Sequence, residues 1–100
     1  SGPSGGLMMS LAIYNNLIPE DITKGLKIIG TGTIDEDGNV GEIGGVKYKL
    51  AGAVKKKAKV FLCPKENLDE AQELAQSNKY DIKIIGVATF KEALEELSKL

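Results

Sequence analysis

Apolar residues recur at helical spacing over the first part of the chain. At about 100° per residue, Leu7, Met8, Leu11, Tyr14 and Ile18 gather on one side, and Ser4 falls with them. The pattern predicts a helix from Ser4 to about Leu17. Pro3 enters it at no cost to its fixed φ, and Pro19-Glu20-Asp21 ends it in a loop. Period-two alternation then takes over. Leu26, Ile28 and Ile34 fall on one face and Ile29, Thr31 and Thr33 on the other, which predicts a strand over 26–34. Asp35-Glu36-Asp37-Gly38-Asn39 is a turn, with Asp37-Gly38 its strongest signal. A short strand from Val40 to Ile43 returns as a hairpin, and Gly44-Gly45 launches a second helix to about Lys57.

The last third alternates element types. Lys59 to Cys63 is a short apolar strand stopped by Pro64. Asn67 to about Ser77 is a helix with Asn67 as its cap and Glu70 three positions on, the spacing of a capping box. Asp81 to Val87 is a strand, and Thr89 to Leu100 is a helix in which Thr89 and Glu92 repeat that spacing. Strand–helix–strand–helix with short joins predicts a right-handed crossover and parallel pairing. The expected fold class is α/β, a mixed sheet with helices packed on it, in a single domain over 1–100.

Composition narrows the chemistry. The 100 residues carry 13 basic and 14 acidic side chains, and every basic one is lysine. Without arginine the chain lacks the bidentate fork suited to phosphate and guanine. Aromatic residues make up 5%, too few to stack bases on, so nucleic acid is not an expected partner. There is no histidine and one cysteine, which excludes a His/Cys zinc site and any Ser-His-Asp or Cys-His unit built from this chain alone. Cys63 reads as a small buried hydrophobe in a strand. No apolar run approaches the ~20 residues that span a bilayer. No cofactor or metal is expected.

A serine hydroxyl needs a base to become a nucleophile. With imidazole excluded, lysine is the main remaining candidate. With Lys47 at zero on its helical wheel, Val46, Leu50, Ala51, Ala53, Val54 and Ala58 spread from about −120° to +40°, while Lys49 and Lys56 lie near 180°. This predicts that Lys47 is buried near Ser4 and that Lys49 and Lys56 are exposed. A desolvated lysine gives up its charge more readily and approaches the range useful to a general base. The alternatives stay open from the residues alone: Lys47 near a helix end can snorkel to water, and Ser4 can simply cap a helix. Gly2-Pro3-Ser4-Gly5-Gly6 fits G-x-S-x-G, but a nucleophile elbow needs a preceding strand and a later histidine, and neither is present. Gly30-Thr31-Gly32 lacks a third glycine and a following helix, and Gly44-Gly45-Val46-Lys47 lacks the order of a phosphate loop. Lys55-Lys56-Lys57 reads as a solvated helix end.

Together these residues resemble the proteolytic domain of the Lon family of Ser-Lys peptidases. Gly2-Pro3-Ser4-Gly5-Gly6 matches the family's Gly-Pro-Ser-Ala-Gly nucleophile segment, with Gly5 in place of the alanine. Gly44-Gly45-Val46-Lys47 matches its Gly-Gly-hydrophobic-Lys segment, 43 positions beyond Ser4. The stretches 27–34 and 37–43 look like its intervening hairpin, and Phe61-Leu62-Cys63-Pro64-Lys65-Glu66-Asn67 resembles its later strand and loop. Ser1 stands where relatives usually carry aspartate or glycine.

The resemblance implies a fold of ribosomal-protein-S5 type and a serine endopeptidase with a Ser4/Lys47 dyad. It also implies that Gly5 and Thr31 support the site, Thr31 by orienting Lys47 through its hydroxyl. On this reading the chain is the C-terminal portion of a Lon-like domain without its upstream strands. The implied partners are a polypeptide substrate, an upstream PDZ or AAA+ module and a homo-oligomer. The wording at Gly30-Thr31-Gly32-Thr33-Ile34 and Ile13-Tyr14-Asn15 looks closer to the membrane-anchored, PDZ-containing branch, which implies a bacterial membrane protein with an extracytoplasmic catalytic domain. A cytoplasmic location is the alternative. The competing class is an interaction module, a Lon-like fold that binds peptides or partner proteins without turnover.

Overall fold

The computed structural model describes residues 2–100, with side chains from Ser4 onward, so the reading of Ser1 lies outside the described residues. A 3₁₀ turn over Gly2–Gly5 leads into α1 (Gly6–Asn16). There follow β1 (Ile28–Gly30), β2 (Thr33–Ile34), β3 (Val40–Gly41), α2 (Val46–Lys55), β4 (Val60–Pro64), α3 (Leu68–Ser77), β5 (Lys83–Val87) and α4 (Phe90–Ser98). None of these helices is long and apolar enough to cross a membrane.

The main sheet is parallel, in the order β1-β4-β5. β4 lies at its centre and all five of its residues are buried, which is why its sequence is a continuous apolar run and not an alternating one. Its side chains divide between the two faces. Val60 and Leu62 join Leu7 and Leu11 of α1 and Ala93 and Leu97 of α4 in one cluster. Phe61 and Cys63 join Val46, Leu50 and Ala53 of α2 and Ala71 and Ala75 of α3 in the other. The molecule is therefore three layers, α1/α4 over the sheet and α2/α3 beneath it.

The expected mixed sheet resolves into two. The strand predicted over 26–34 breaks at Thr31-Gly32, so that β1 pairs with β4 while β2 pairs antiparallel with β3 in a separate ribbon. Gly32 sits at φ 153°, a backbone state that L side chains rarely adopt. It turns the chain out of one sheet and into the other. Beyond the break, the Asp35 carboxylate accepts the N–H groups of Asp37 (2.9 Å) and Asn39 (2.8 Å) and fixes the hairpin turn. These bonds, that of Asn39 foremost, hold the Asp35 carboxyl below the usual carboxylate range.

Cys63 is fully buried in β4, and burial pushes its thiol up to about 11 from 9.0. The thiolate is the reactive form, so that shift alone slows alkylation about a hundredfold at neutral pH. A thiol reagent is expected to label the native chain slowly and the urea-unfolded chain fast. Rapid labelling under native conditions would contradict the placement of β4.

Candidate active site

Ser4 is held by its backbone. Its carbonyl accepts the Gly32 N–H at 2.8 Å, and the Thr31 hydroxyl approaches the same oxygen at 3.5 Å, a long and weak bond. Two further backbone bonds complete the clamp. Gly32 in turn accepts the Leu7 N–H at 3.0 Å, and the Thr31 N–H donates to Leu62 in β4 at 2.9 Å. The break between β1 and β2 thus anchors the 3₁₀ turn that carries Ser4 to the centre of the parallel sheet. Thr31 is 5% exposed, and its hydroxyl is directed at the Ser4 backbone.

On the other side stands α2. Gly45 at its N-cap has φ 71°, and a Cβ there would meet nothing within 4 Å, so its requirement for glycine is purely conformational. The Gly45 carbonyl then accepts the Lys49 N–H at 3.1 Å.

A crevice of about 340 Å³ lies between these two sides. Ser4, Gly5 and Thr31 line one wall, and Lys49, Gly52 and Lys56 line the other. Ile29 and Phe61 close it from the sheet, and Tyr48 stands at its rim, 77% exposed. Gly5 has an ordinary helical φ of −86°, and a Cβ there would meet nothing within 4 Å. Its lack of a side chain leaves open space beside Ser4. Among the described residues, no group of three or more His, Cys, Asp or Glu is gathered to hold a metal ion.

Lys47 is not in this crevice. It is exposed, while Lys49 is partly buried, the reverse of the expectation from the wheel. The physical reason is which part of the apolar arc is the packed seam. α2 buries Val46, Leu50 and Ala53, whereas Ala51 and Val54, which drew the arc toward Lys47, are only partly covered. With Val46 at zero, the seam spans about −20° to +40°. Lys49 and Lys56 then fall near −60° and −80°, on the flank turned to Ser4, and Lys47 near +100°, on the flank turned away. Lys56 is exposed as expected, but on the crevice side.

Asn67, read from the sequence as a helix cap, has a different role. It is 3% exposed and makes no capping bond to α3. Its Oδ1 accepts the Ile43 N–H and its Nδ2 donates to the Ile43 carbonyl, each at 3.0 Å. Both backbone polar groups of the residue before Gly44-Gly45 are thereby satisfied by one side chain, which fixes the entry to α2 and so the origin from which Lys49 projects. Composition offers a single hint: asparagine is one of few side chains that donates and accepts at once.

The chain is 34% identical to the Lon protease of Haemophilus influenzae over 93 residues, which is 93% of this chain and 11% of that protein. It is 36% identical to the Lon protease of Campylobacter concisus and 34% to that of Campylobacter jejuni, each over 95 residues, 94% of this chain and 12% of the relative. It therefore spans only about a tenth of the length of these relatives. The family model of the Lon protease (S16) C-terminal proteolytic domain matches residues 1–99, and with that coverage the chain belongs to the Lon proteolytic-domain family.

Proposed function

We propose that this chain carries the catalytic centre of a serine endopeptidase, with Ser4 as nucleophile and a lysine of the first turn of α2 as general base, Lys47 on its match to the family's Gly-Gly-hydrophobic-Lys segment or Lys49 on its place in the crevice. The observation that supports it best is that Ser4, Thr31 and Lys49 line one crevice in a chain with no histidine. Membership of a protease family supports the reaction class. The substrate is a polypeptide.

The mechanism needs that lysine in its neutral form. Its amine takes the proton of the Ser4 hydroxyl as Oγ attacks a peptide carbonyl, and the resulting ammonium returns the proton to the leaving amine. Water, activated by the same amine, then hydrolyses the acyl-enzyme. Ser4 stands at the N-terminal end of α1, where the helix carries partial positive charge that favours the oxyanion. The clamp from Gly32 and Thr31 immobilises the nucleophile's backbone, so little orientation has to be gained at the moment of reaction.

Ser4→Ala is the direct test. A fluorogenic peptide should be cleaved by the wild-type chain and not by the variant, and a fluorophosphonate probe should label Ser4 alone. Cleavage that survives in Ser4→Ala would remove the serine from the mechanism. Peptide binding without any turnover in the wild type would favour the interaction module.

A further inference from the structure

We propose that the end of the parallel sheet away from Ser4 docks on the surface of an anionic lipid bilayer and so turns the crevice outward to water. Because β1, β4 and β5 are parallel, their first residues share one edge, and the Ser4 clamp lies beyond the other, at Thr31 and Gly32. Charge divides between these two ends. The connections that enter the strands (17–27, 56–59 and 78–82) hold six lysines and three carboxylates. The connections at the Ser4 end (31–45 with its β2–β3 ribbon, 65–67 and 88–89) hold one lysine and five carboxylates. A chain whose net charge is only −1 is therefore a dipole along its strands, and an anionic surface orients it.

Two features of the lysine end work against the fold itself. Lys57 and Lys79 follow α2 and α3 at φ 63° and 56°, the left-handed state that helix ends ordinarily give to glycine. Both helices close alike, the Ala58 N–H donating to Ala53 and the Tyr80 N–H to Ala75. Lys27 and Lys59 stand side by side, one position ahead of the paired Ile28 and Val60, with the Lys59 N–H on the Lys27 carbonyl at 2.9 Å. Like charges so placed repel. All four lysines are exposed, and among the described residues the only ion pair is Lys99–Glu96. By contrast, Lys24 donates to the Ser98 and Leu100 carbonyls, and Asp21 accepts from Thr23 and Gly25. Leu17 and Leu26 lie in the same end, 77% and 38% exposed. Ammonium groups at headgroup phosphates and leucines at the acyl boundary fit a bilayer surface. An acidic polypeptide would satisfy the lysines and leave the leucines in water.

The test is co-sedimentation of this chain with sucrose-loaded vesicles, of phosphatidylcholine alone or with about a third phosphatidylglycerol. The chain is expected to pellet with the anionic vesicles alone and to be released as salt rises. Lys57→Gly and Lys79→Gly should each lower the partition coefficient about fivefold. Their urea midpoints should hold or rise, since glycine suits that backbone state better. A purely structural role for these lysines would leave partition unmoved. Leu17→Ser should weaken binding at every salt concentration alike, and Lys65→Gln, at the Ser4 end, should change nothing. Failure to pellet with anionic vesicles, equal pelleting with neutral ones, or wild-type pelleting by the Lys57→Gly/Lys79→Gly chain overturns the proposal. So does binding to polyglutamate without pelleting on vesicles, which assigns the lysines to an acidic protein. None of the substituted residues lines the crevice, so the outcome is independent of which lysine serves Ser4.

Discussion

Replacing the base of the dyad by arginine is expected to abolish peptide hydrolysis, a fall of at least about 10³-fold in kcat, so that of Lys47→Arg and Lys49→Arg one is inactive and the other stays within about twofold of wild type. Guanidinium keeps its proton at any pH a protein survives and so cannot accept one from Ser4. The two lysines are two positions apart, yet one lines the crevice and the other is exposed on a different flank of α2. A base that must be neutral also gives wild-type kcat/KM a limb that rises with pH. A single set of initial rates on the two variants decides the matter. Loss of turnover in Lys47→Arg with Lys49→Arg active assigns the base to the lysine of the motif, and the reverse assigns it to the lysine that lines the crevice.

Asn67→Ala should produce the largest loss of stability for any polar side chain in the molecule, about 2–4 kcal/mol. Truncation strands the N–H and the carbonyl of Ile43 in a site from which water is excluded, and each unpaired buried group costs about 1–3 kcal/mol. Urea titration should show a lower midpoint at unchanged slope. Asn67→Asp sets a carboxylate oxygen against the Ile43 carbonyl in a buried site and should cost at least as much as the alanine at neutral pH. Because Ile43 leads into Gly45 and α2, hydrolysis should fall further than the population of folded chain accounts for. A loss below about 0.5 kcal/mol would mean that the Asn67 clamp contributes little.

What was legible in the sequence is what local patterning controls. Thr89 does accept the Glu92 N–H at 3.0 Å, and α4 begins where its capping signal puts it; the Glu92 carboxylate reaches back to the Ala88 N–H, one residue beyond the reciprocal bond of a capping box. The apolar runs in β4 and β5 paired in parallel as their spacing implied. Asn67 carries the same local signal as Thr89 and behaves differently, because Ile43, 24 positions away, competes for its amide. No window of sequence contains that competition. The break at Thr31-Gly32 was hidden for a similar reason. Alternation continues through it, and only the presence of a second pairing partner, β3, makes leaving the first sheet favourable. For Lys47 and Lys49 the wheel gave the correct helix and the wrong flank, since alanine and valine mark an apolar arc whether or not another element covers it.

The sheet order also sets a sequence of assembly. β4 and β5 share five register partners and are joined by one intervening helix, whereas β1 meets β4 through three partners after the chain has closed a longer excursion through the hairpin and α2. Contacts between distant segments form late, because loop closure opposes them until enough surface is buried. Sequence separation thus favours the β4–α3–β5 unit as the first to form, with β1 joining it at an edge. The Ser4 turn is tied to the sheet through Thr31 and Leu62, immediately beyond that late edge. The Ser4 turn thus meets α2 late, and a chain in which β1 has not yet joined lacks the crevice between them.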